Sequence, residues 1–319
     1  MKHKRMVAAL AALSLTAVLA PVTQAVAAPA TTQLILGAVP GLDLGLIELA
    51  KVRGSFAAEG LDIKIVPLDS GPNVVVGVVA GQYDLGYTAY APPLLAYANG
   101  SPLRIVSGVG TVGKDGLNGG TLVRKDSGIN SWKDLAGKKI ASNAPRSLFS
   151  LTVPAAIAAA GGDASKIQII PLPFSEIPKA VADGRVDAGV ALEPFLSKGL
   201  ADYPTVRNLG DSTHAVLPEG SPVGVVFTSA STLAAKSDAI ARFKKVFDQT
   251  VKYANKHLNS VKIAGAAPAG LTKAQALAIK IAPYETSANP AGLKSLVDLM
   301  VKFNWVQKAP DLTAFFSKS

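Results

Sequence analysis

Gly81-Gln-Tyr-Asp-Leu-Gly-Tyr-Thr-Ala-Tyr-Ala-Pro-Pro-Leu-Leu-Ala-Tyr-Ala-Asn-Gly100 decides the fold when it is set beside Gly184-Arg-Val-Asp-Ala-Gly-Val-Ala-Leu-Glu-Pro-Phe195. Both stretches run Gly, a two-residue gap, Asp, then small and apolar residues. A glycine in this setting closes a helix, because it takes the left-handed conformation that ends one without steric cost. The Asp then opens a short buried strand that leads into a loop of small or polar residues. The repetition predicts one α/β unit built twice. Two such units with facing loops enclose a cleft, where small ligands bind.

Around these stretches the pattern alternates. Gln33 to Ala38 reads as a strand, followed by the loop Pro40-Gly-Leu-Asp-Leu-Gly45. Leu46 to Glu59 has helical spacing with Gly60 as its stop, and Leu61 to Pro67 alternates as a strand. A helix over Asn73 to Ala80, a strand over Tyr83 to Tyr87, a helix over Pro92 to Asn99 and a strand over Leu103 to Gly108 follow. The Gly-rich stretch 110–120 reads as a crossover. The second unit runs through strands at Lys139 to Ser142, Ile167 to Pro171 and Val186 to Ala191. Its helices lie at Leu148 to Ala160, with Pro154 inside, and at Ile177 to Ala182. Ser221 to Thr228 reads as the return crossing and a further strand, and helices alone come after it, the last over Pro310 to Phe316. Alternating strands and helices favour a mainly parallel sheet with helices on both faces. The expected division is residues 31–118 plus 220–319 as one lobe and 119–219 as the other, with pairing of Val223 to Thr228 in the second unit as the alternative.

The N-terminus carries Lys2, Lys4 and Arg5, then an apolar run from Met6 to Leu19, then the small-x-small triplet Ala25-Val26-Ala27. This is the layout of a secretory signal peptide over residues 1–27. The apolar run is shorter than the ~20 residues a membrane span needs. The expected product is exported, soluble, monomeric and periplasmic. The chain has no Cys, so it has no disulfide, thiolate site or lipid-anchoring cysteine. Its formal charge is +10, three of those charges lying in the leader. The basic residues are scattered rather than clustered with aromatics, which excludes a nucleic-acid footprint. They are compatible with anionic ligands, or with solubility alone. His3, His214 and His257 lie far apart, so no metal spacing exists, and no nucleophile–base set is visible. Gly108-Val-Gly-Thr-Val-Gly113 fits a dinucleotide fingerprint formally, but Lys114 to Gly120 cannot begin the helix it requires. No cofactor, metal or catalytic residue is expected.

The order of motifs resembles the extracellular solute-binding proteins of ABC importers, in the branch covering nitrate, taurine, aliphatic sulfonates and thiamine-pyrimidine precursors. The resemblance rests on Phe56-Ala-Ala-Glu-Gly-Leu-Asp-Ile63, Gly81-x-Tyr-Asp84, Ser101-Pro-Leu-Arg-Ile-Val106, Val123-Arg-Lys-Asp-Ser-Gly-Ile129 with Asp134-Leu-Ala-Gly-Lys-Lys-Ile140, and Gly184-x-Val-Asp-Ala188 with Glu193-Pro194. It implies a type II periplasmic-binding-protein fold, two lobes joined by two crossing strands. It also implies capture of a small organic anion, a sulfonate or carboxylate, for delivery to an ABC permease in the inner membrane. Enzymes of menaquinone or pyrimidine synthesis on the same fold are the alternative, and the leader opposes them.

Ligands of parallel α/β sheets sit beyond the carboxyl ends of the strands. That rule selects Pro40, Gly41 and Leu42; Thr88, Ala89 and Tyr90; Arg146 and Ser147; and Glu193. Thr111 stands where the first crossing begins. Thr88 either meets a polar ligand group or caps the next helix. Tyr90 either stacks on a planar ligand or lies exposed on its loop. Ser147 reads as an N-cap beside a helix N-terminus suited to an anion. Arg146 either holds an acidic group or pairs with Glu193. Glu193 fixes that Arg, meets a cationic ligand group, or caps the following helix.

Overall fold

The computed structural model describes residues 31–114, 119–287 and 291–316. The leader and residues 115–118 of the crossover lie outside them. From the N-terminus the elements are β1 (Thr32–Ala38), α1 (Gly45–Val52), α2 (Ser55–Ala58), β2 (Leu61–Pro67), α3 (Gly71–Val79), β3 (Leu85–Ala89), α4 (Ala91–Ala98) and β4 (Leu103–Gly108). Then come β5 (Gly119–Arg124), β6 (Lys139–Ser142), α5 (Leu148–Ala159), β7 (Gln168–Pro171), α6 (Ile177–Ala182), β8 (Ala188–Leu192), α7 (Phe195–Asp202) and β9 (Val206–Gly210). The chain ends with β10 (Gly224–Ser229), α8 (Ala230–Ala235), α9 (Ser237–Lys256), α10 (Leu258–Ala266), α11 (Lys273–Ala278) and α12 (Lys294–Lys302).

Among the described residues ten strands form two sheets of five, ordered β2-β1-β3-β10-β4 and β7-β6-β8-β5-β9. The two orders are the same topology. In each sheet three parallel strands are followed by one antiparallel strand and an edge strand. The antiparallel strand is in each case the first to arrive from the other half: β5 enters the second sheet after β4, and β10 returns to the first after β9. The two connections lie side by side. Thr111 bridges Pro222 in antiparallel fashion, the Val112 N–H donates to the Ser221 carbonyl at 2.8 Å, and the Val223 N–H donates to the Gly110 carbonyl at 3.0 Å.

The repeated Gly-x-x-Asp has a physical account. Gly81 and Gly184 both take φ near +71°, closing α3 and α6. Asp84 then clamps the neighbouring strand: its backbone N–H donates to the Ile35 carbonyl, and its carboxylate accepts the Ile35 N–H, each at 2.9 Å. Asp187 does the same to both backbone groups of Lys139, again at 2.9 Å each. One side chain thus supplies the ladder bond that the first residue of β3 or β8 cannot make. It also fixes the register of the central parallel pair in each half.

Three expectations change. Leu46 to Glu59 is two helices, because Gly54 turns left-handed at φ 69° and restarts the chain at Ser55. α5 runs unbroken through Pro154. The lost N–H is offset by the burial of Val153, Ala155, Ala156 and Ile157 around it. Residues 310–316 form turns rather than a helix. The Phe315 carbonyl takes the Ile105 N–H of β4 at 2.9 Å, and the Phe315 ring packs on Tyr97 at 4.6 Å. A partner on the sheet edge replaces the bond a helix would have made. α12 packs against α5, so the C-terminal segment touches both halves.

Candidate functional site

A cavity of about 100 Å³ lies where the carboxyl ends of β1, β3, β6 and β8 converge. The first half contributes Gly41, Asp43, Tyr87, Thr88 and Ala89, and the second contributes Asn143, Ser147, Leu148, Phe149 and Phe174. Thr111 and Val223 of the crossings close one side, and Tyr284 enters from the C-terminal segment. Phe149 and Phe174 meet edge to face at 6.0 Å, giving the second half an aromatic wall. A larger opening of about 1030 Å³ adjoins it, sharing Thr111 and Tyr284 and adding Lys114, Glu193 and Lys280.

Of the residues selected from sequence, Gly41, Thr88, Ala89, Thr111 and Ser147 line the cavity. Thr88 does not cap α4, whose N-cap is Tyr90. Its hydroxyl instead lies over Gly71, where an added Cβ would come within 2.5 Å of the Thr88 oxygen. Gly71 at the start of α3 is therefore what lets Thr88 reach the wall. Ser147 caps α5, accepting the Ser150 N–H at 3.4 Å, and sits 3.2 Å from the Ser142 hydroxyl.

The others stand elsewhere. Pro40 is at the edge and does not line the cavity. The Leu42 side chain is 1% exposed and packs with Ala266 and Ile279. Tyr90 is wholly buried off the cavity, so it cannot stack on a solute; burial pushes its phenol well above the ordinary range, and its hydroxyl has no hydrogen-bond partner. Arg146 is exposed, holds φ 62°, and places its guanidinium 5.2 Å from the Trp305 ring centroid. It neither lines the cavity nor pairs with Glu193. The Glu193 carboxylate accepts the Ser197 N–H at 3.0 Å and the Ser197 hydroxyl at 2.7 Å, which is the helix-capping reading of that residue. Burial raises its carboxyl above the usual range, and the two Ser197 bonds oppose that rise.

Arg146→Ala is therefore expected to change solute affinity by less than about threefold. It should cost no more than the ~0.5–1 kcal/mol of an exposed cation–π contact in stability. Calorimetry and urea unfolding check the two numbers, and a tenfold loss of affinity would restore Arg146 to the site.

Sequence reasoning missed Asp43, Tyr87, Tyr284 and Asn143. Asp43 lies one residue beyond the loop positions selected and is the only carboxylate of that loop. It faces both phenols. Burial, then the charge of Asp43, raises Tyr87 and Tyr284 well above the ordinary tyrosine range, and Tyr87 is near enough to donate to that carboxylate. The Tyr284 hydroxyl is close to the same carboxylate but is buried without a hydrogen bond of regular geometry. No periodicity marked Tyr284. Asn255 of α9 holds it, accepting the Tyr284 N–H and donating to its carbonyl, both at 2.8 Å. The Asn143 amide donates to the Asp69 carbonyl of the first half at 3.3 Å, which leaves its own buried oxygen unpartnered. The Leu42 N–H donates to the Glu193 carbonyl at 2.8 Å, a second bond across the cleft. Among the described residues no group of His, Asp and Glu is placed to hold a metal.

Two like-ordered sheets, a double crossing and a cavity between them define a periplasmic-binding-protein fold. The chain belongs to the NMT1/THI5-like family, whose model matches residues 44–259. It is 30% identical over 217 residues to a putative aliphatic sulfonates-binding protein of Bacillus subtilis (strain 168), covering 66% of this chain and 62% of that protein. It is 32% identical over 94 residues to a 4-amino-5-hydroxymethyl-2-methylpyrimidine phosphate synthase of Schizosaccharomyces pombe, covering 30% of this chain and 26% of that one. The chain thus spans less than two thirds of the length of these curated relatives. In fold it is similar to the alkanesulfonate-binding protein SsuA from Xanthomonas axonopodis pv. citri, solved bound to MOPS. The TM-score there is 0.73 at 22% identity, over 90% of this chain and 97% of that one.

Proposed function

We propose that this protein is the solute-binding component of an ABC importer, exported by its leader, that takes a small organic solute into the cavity between its halves and presents the closed form to a membrane permease. The observation that carries the reading is the cavity itself. It is walled by residues of both halves and both crossings, so a solute there gains contacts on closure that an open form lacks. Differential contact of this kind is what a ligand needs to shift a conformational equilibrium. The sulfonate-binding relative supports the solute-binding role, and the synthase relative matches a much shorter stretch. No described helix is long and apolar enough to cross a membrane, in keeping with a carrier that works beside a permease. With Arg146 outside, no Lys or Arg among the described residues lines the cavity, and the reading of an anionic solute loses the residue that carried it.

On this reading the first sheet with its helices moves as one body and the second sheet with its helices as the other, about the paired crossings, with α12 packed on α5 of the second. Saturating solute should lower the radius of gyration seen by small-angle scattering. An unchanged radius with proven binding would remove closure, and with it the importer mechanism.

A further inference from the structure

We propose that the pole of the first half opposite the cavity is a docking surface for an anionic phospholipid membrane, built on Lys51, Val52, Arg53, Lys252 and Lys256. Cations that are scattered along the sequence gather there. Leu49 to Ala58 carries Lys51 and Arg53 and no acid. Gln249 to Tyr284 carries Lys252, Lys256, Lys262, Lys273 and Lys280, again with no acid. The two stretches meet because α1 packs on α9 and α10. The Arg53 guanidinium lies 3.9 Å from the centroid of the Tyr253 ring, and His257 stacks on the same ring at 4.2 Å. Lys252 and Lys256 stand beside Tyr253 on α9, and both are exposed. Among the described residues Lys51, Arg53, Lys252 and Lys256 make no ion pair. The bordering acids are already held: Glu59 by Lys245 at 2.7 Å, and Asp248 by Lys244 at 2.6 Å. Glu48, one turn back on α1, is half-buried. The surface is left with an excess of positive charge.

Leu61, the first residue of β2, pairs with Thr32, the first of β1. The turn from α1 to β2 therefore lies at the amino ends of the strands, whereas the cavity lies at their carboxyl ends. A molecule held by this pole keeps its cavity free, and the proposal does not depend on which solute is carried. Two features select a lipid surface over an acidic protein or a soluble polyanion. Val52, set between Lys51 and Arg53, is 84% exposed, the most of any large apolar side chain among the described residues. An acyl boundary covers such a side chain, and a polyphosphate chain does not. The cations are also mostly Lys, a residue depleted in protein interfaces. Its apolar stem lies along a membrane interface while the ammonium reaches the phosphates. Basic side chains around an exposed aliphatic group are the pattern of a membrane-surface contact, each cation contributing separately.

The test is co-sedimentation of the protein, expressed without its leader, with vesicles of phosphatidylcholine alone or mixed equally with phosphatidylglycerol. Soluble polyphosphate is the second probe, and melting curves confirm that each variant folds. The protein should bind the mixed vesicles and not the phosphatidylcholine ones, and binding should fall as salt rises. Lys252→Gln with Lys256→Gln should weaken vesicle binding by about 25-fold, roughly fivefold for each charge removed. Lys125→Gln with Lys133→Gln removes the same net charge from exposed positions of the second half and should change binding by less than about twofold. Val52→Ser should weaken vesicle binding by about three- to tenfold and leave polyphosphate binding unchanged. Absence of binding to the mixed vesicles overturns the proposal. Equal losses in the two double variants overturn it as well, since the attraction would then belong to net charge. Polyphosphate binding as tight as vesicle binding, with Val52→Ser indifferent, would make the pole a polyanion site and overturn the membrane assignment.

Discussion

Gly265→Ala should lower the unfolding free energy by about 2–3 kcal/mol, the upper part of the usual range for overpacking. Gly265 lies near the end of α10, directly against the turn that carries the cavity floor. A Cβ there would sit 2.0 Å from the Leu42 carbonyl oxygen and 2.8 Å from its carbon. Gly45, opening α1, faces the same seam from the other side, 2.5 Å from the Val261 carbonyl by the same construction. Backbone touches backbone here, so no flexible side chain can move away. The ~1 kcal/mol by which Ala favours a helix over Gly does not offset the clash. Denaturant midpoints should fall with an unchanged slope. Since Leu42 precedes Asp43, solute affinity should fall in the same variant. A neutral result for stability would mean that α10 and the floor turn are not in contact.

The second large effect is Phe227→Ala, with an expected loss of about 3–5 kcal/mol for an aromatic deleted from a closed core. Phe227 is on β10, the strand that returns to the first sheet, and is wholly buried. Its ring fills the space above Gly86 of β3, where an added Cβ would come within 2.5 Å. A loss below about 1 kcal/mol in urea unfolding would show that β10 is not integral to that sheet.

The two α/β units were legible because each rests on a local chemical device. Gly81 and Gly184 end helices, and Asp84 and Asp187 complete a ladder, so their spacing survives in sequence. The strand-end rule selects Gly41, Thr88, Ala89 and Ser147, and the crossing selects Thr111, all of which line the cavity. The rule also selects Arg146 and Tyr90, whose side chains point away from the cavity. Loop position says nothing about the direction of a side chain held at φ 62° or sunk behind a strand. Tyr284 was invisible for another reason: it reaches the cavity on an extended segment with no hydrophobic period, pinned by a single Asn from a distant helix. Asp43 was within reach, as the lone carboxylate of a selected loop. The expectation of an anionic solute drew attention to the nearest cation instead.

The bonds from Leu42 to Glu193 and from Asn143 to Asp69 span the cleft without involving any solute. Each is worth roughly 0.5–1.5 kcal/mol net, so if the halves close as proposed, together they bias the resting population toward the shut form by about 5- to 150-fold. Apparent affinity rises with the fraction already shut. So does the fraction of vacant molecules that look loaded from outside. Any partner that reads the outer shape then meets decoys in proportion to this bias. On the importer reading, scavenging power at low supply and fidelity of the outgoing signal are therefore set against each other by the same two backbone-anchored contacts. Loosening Asn143 would then move the protein along that exchange.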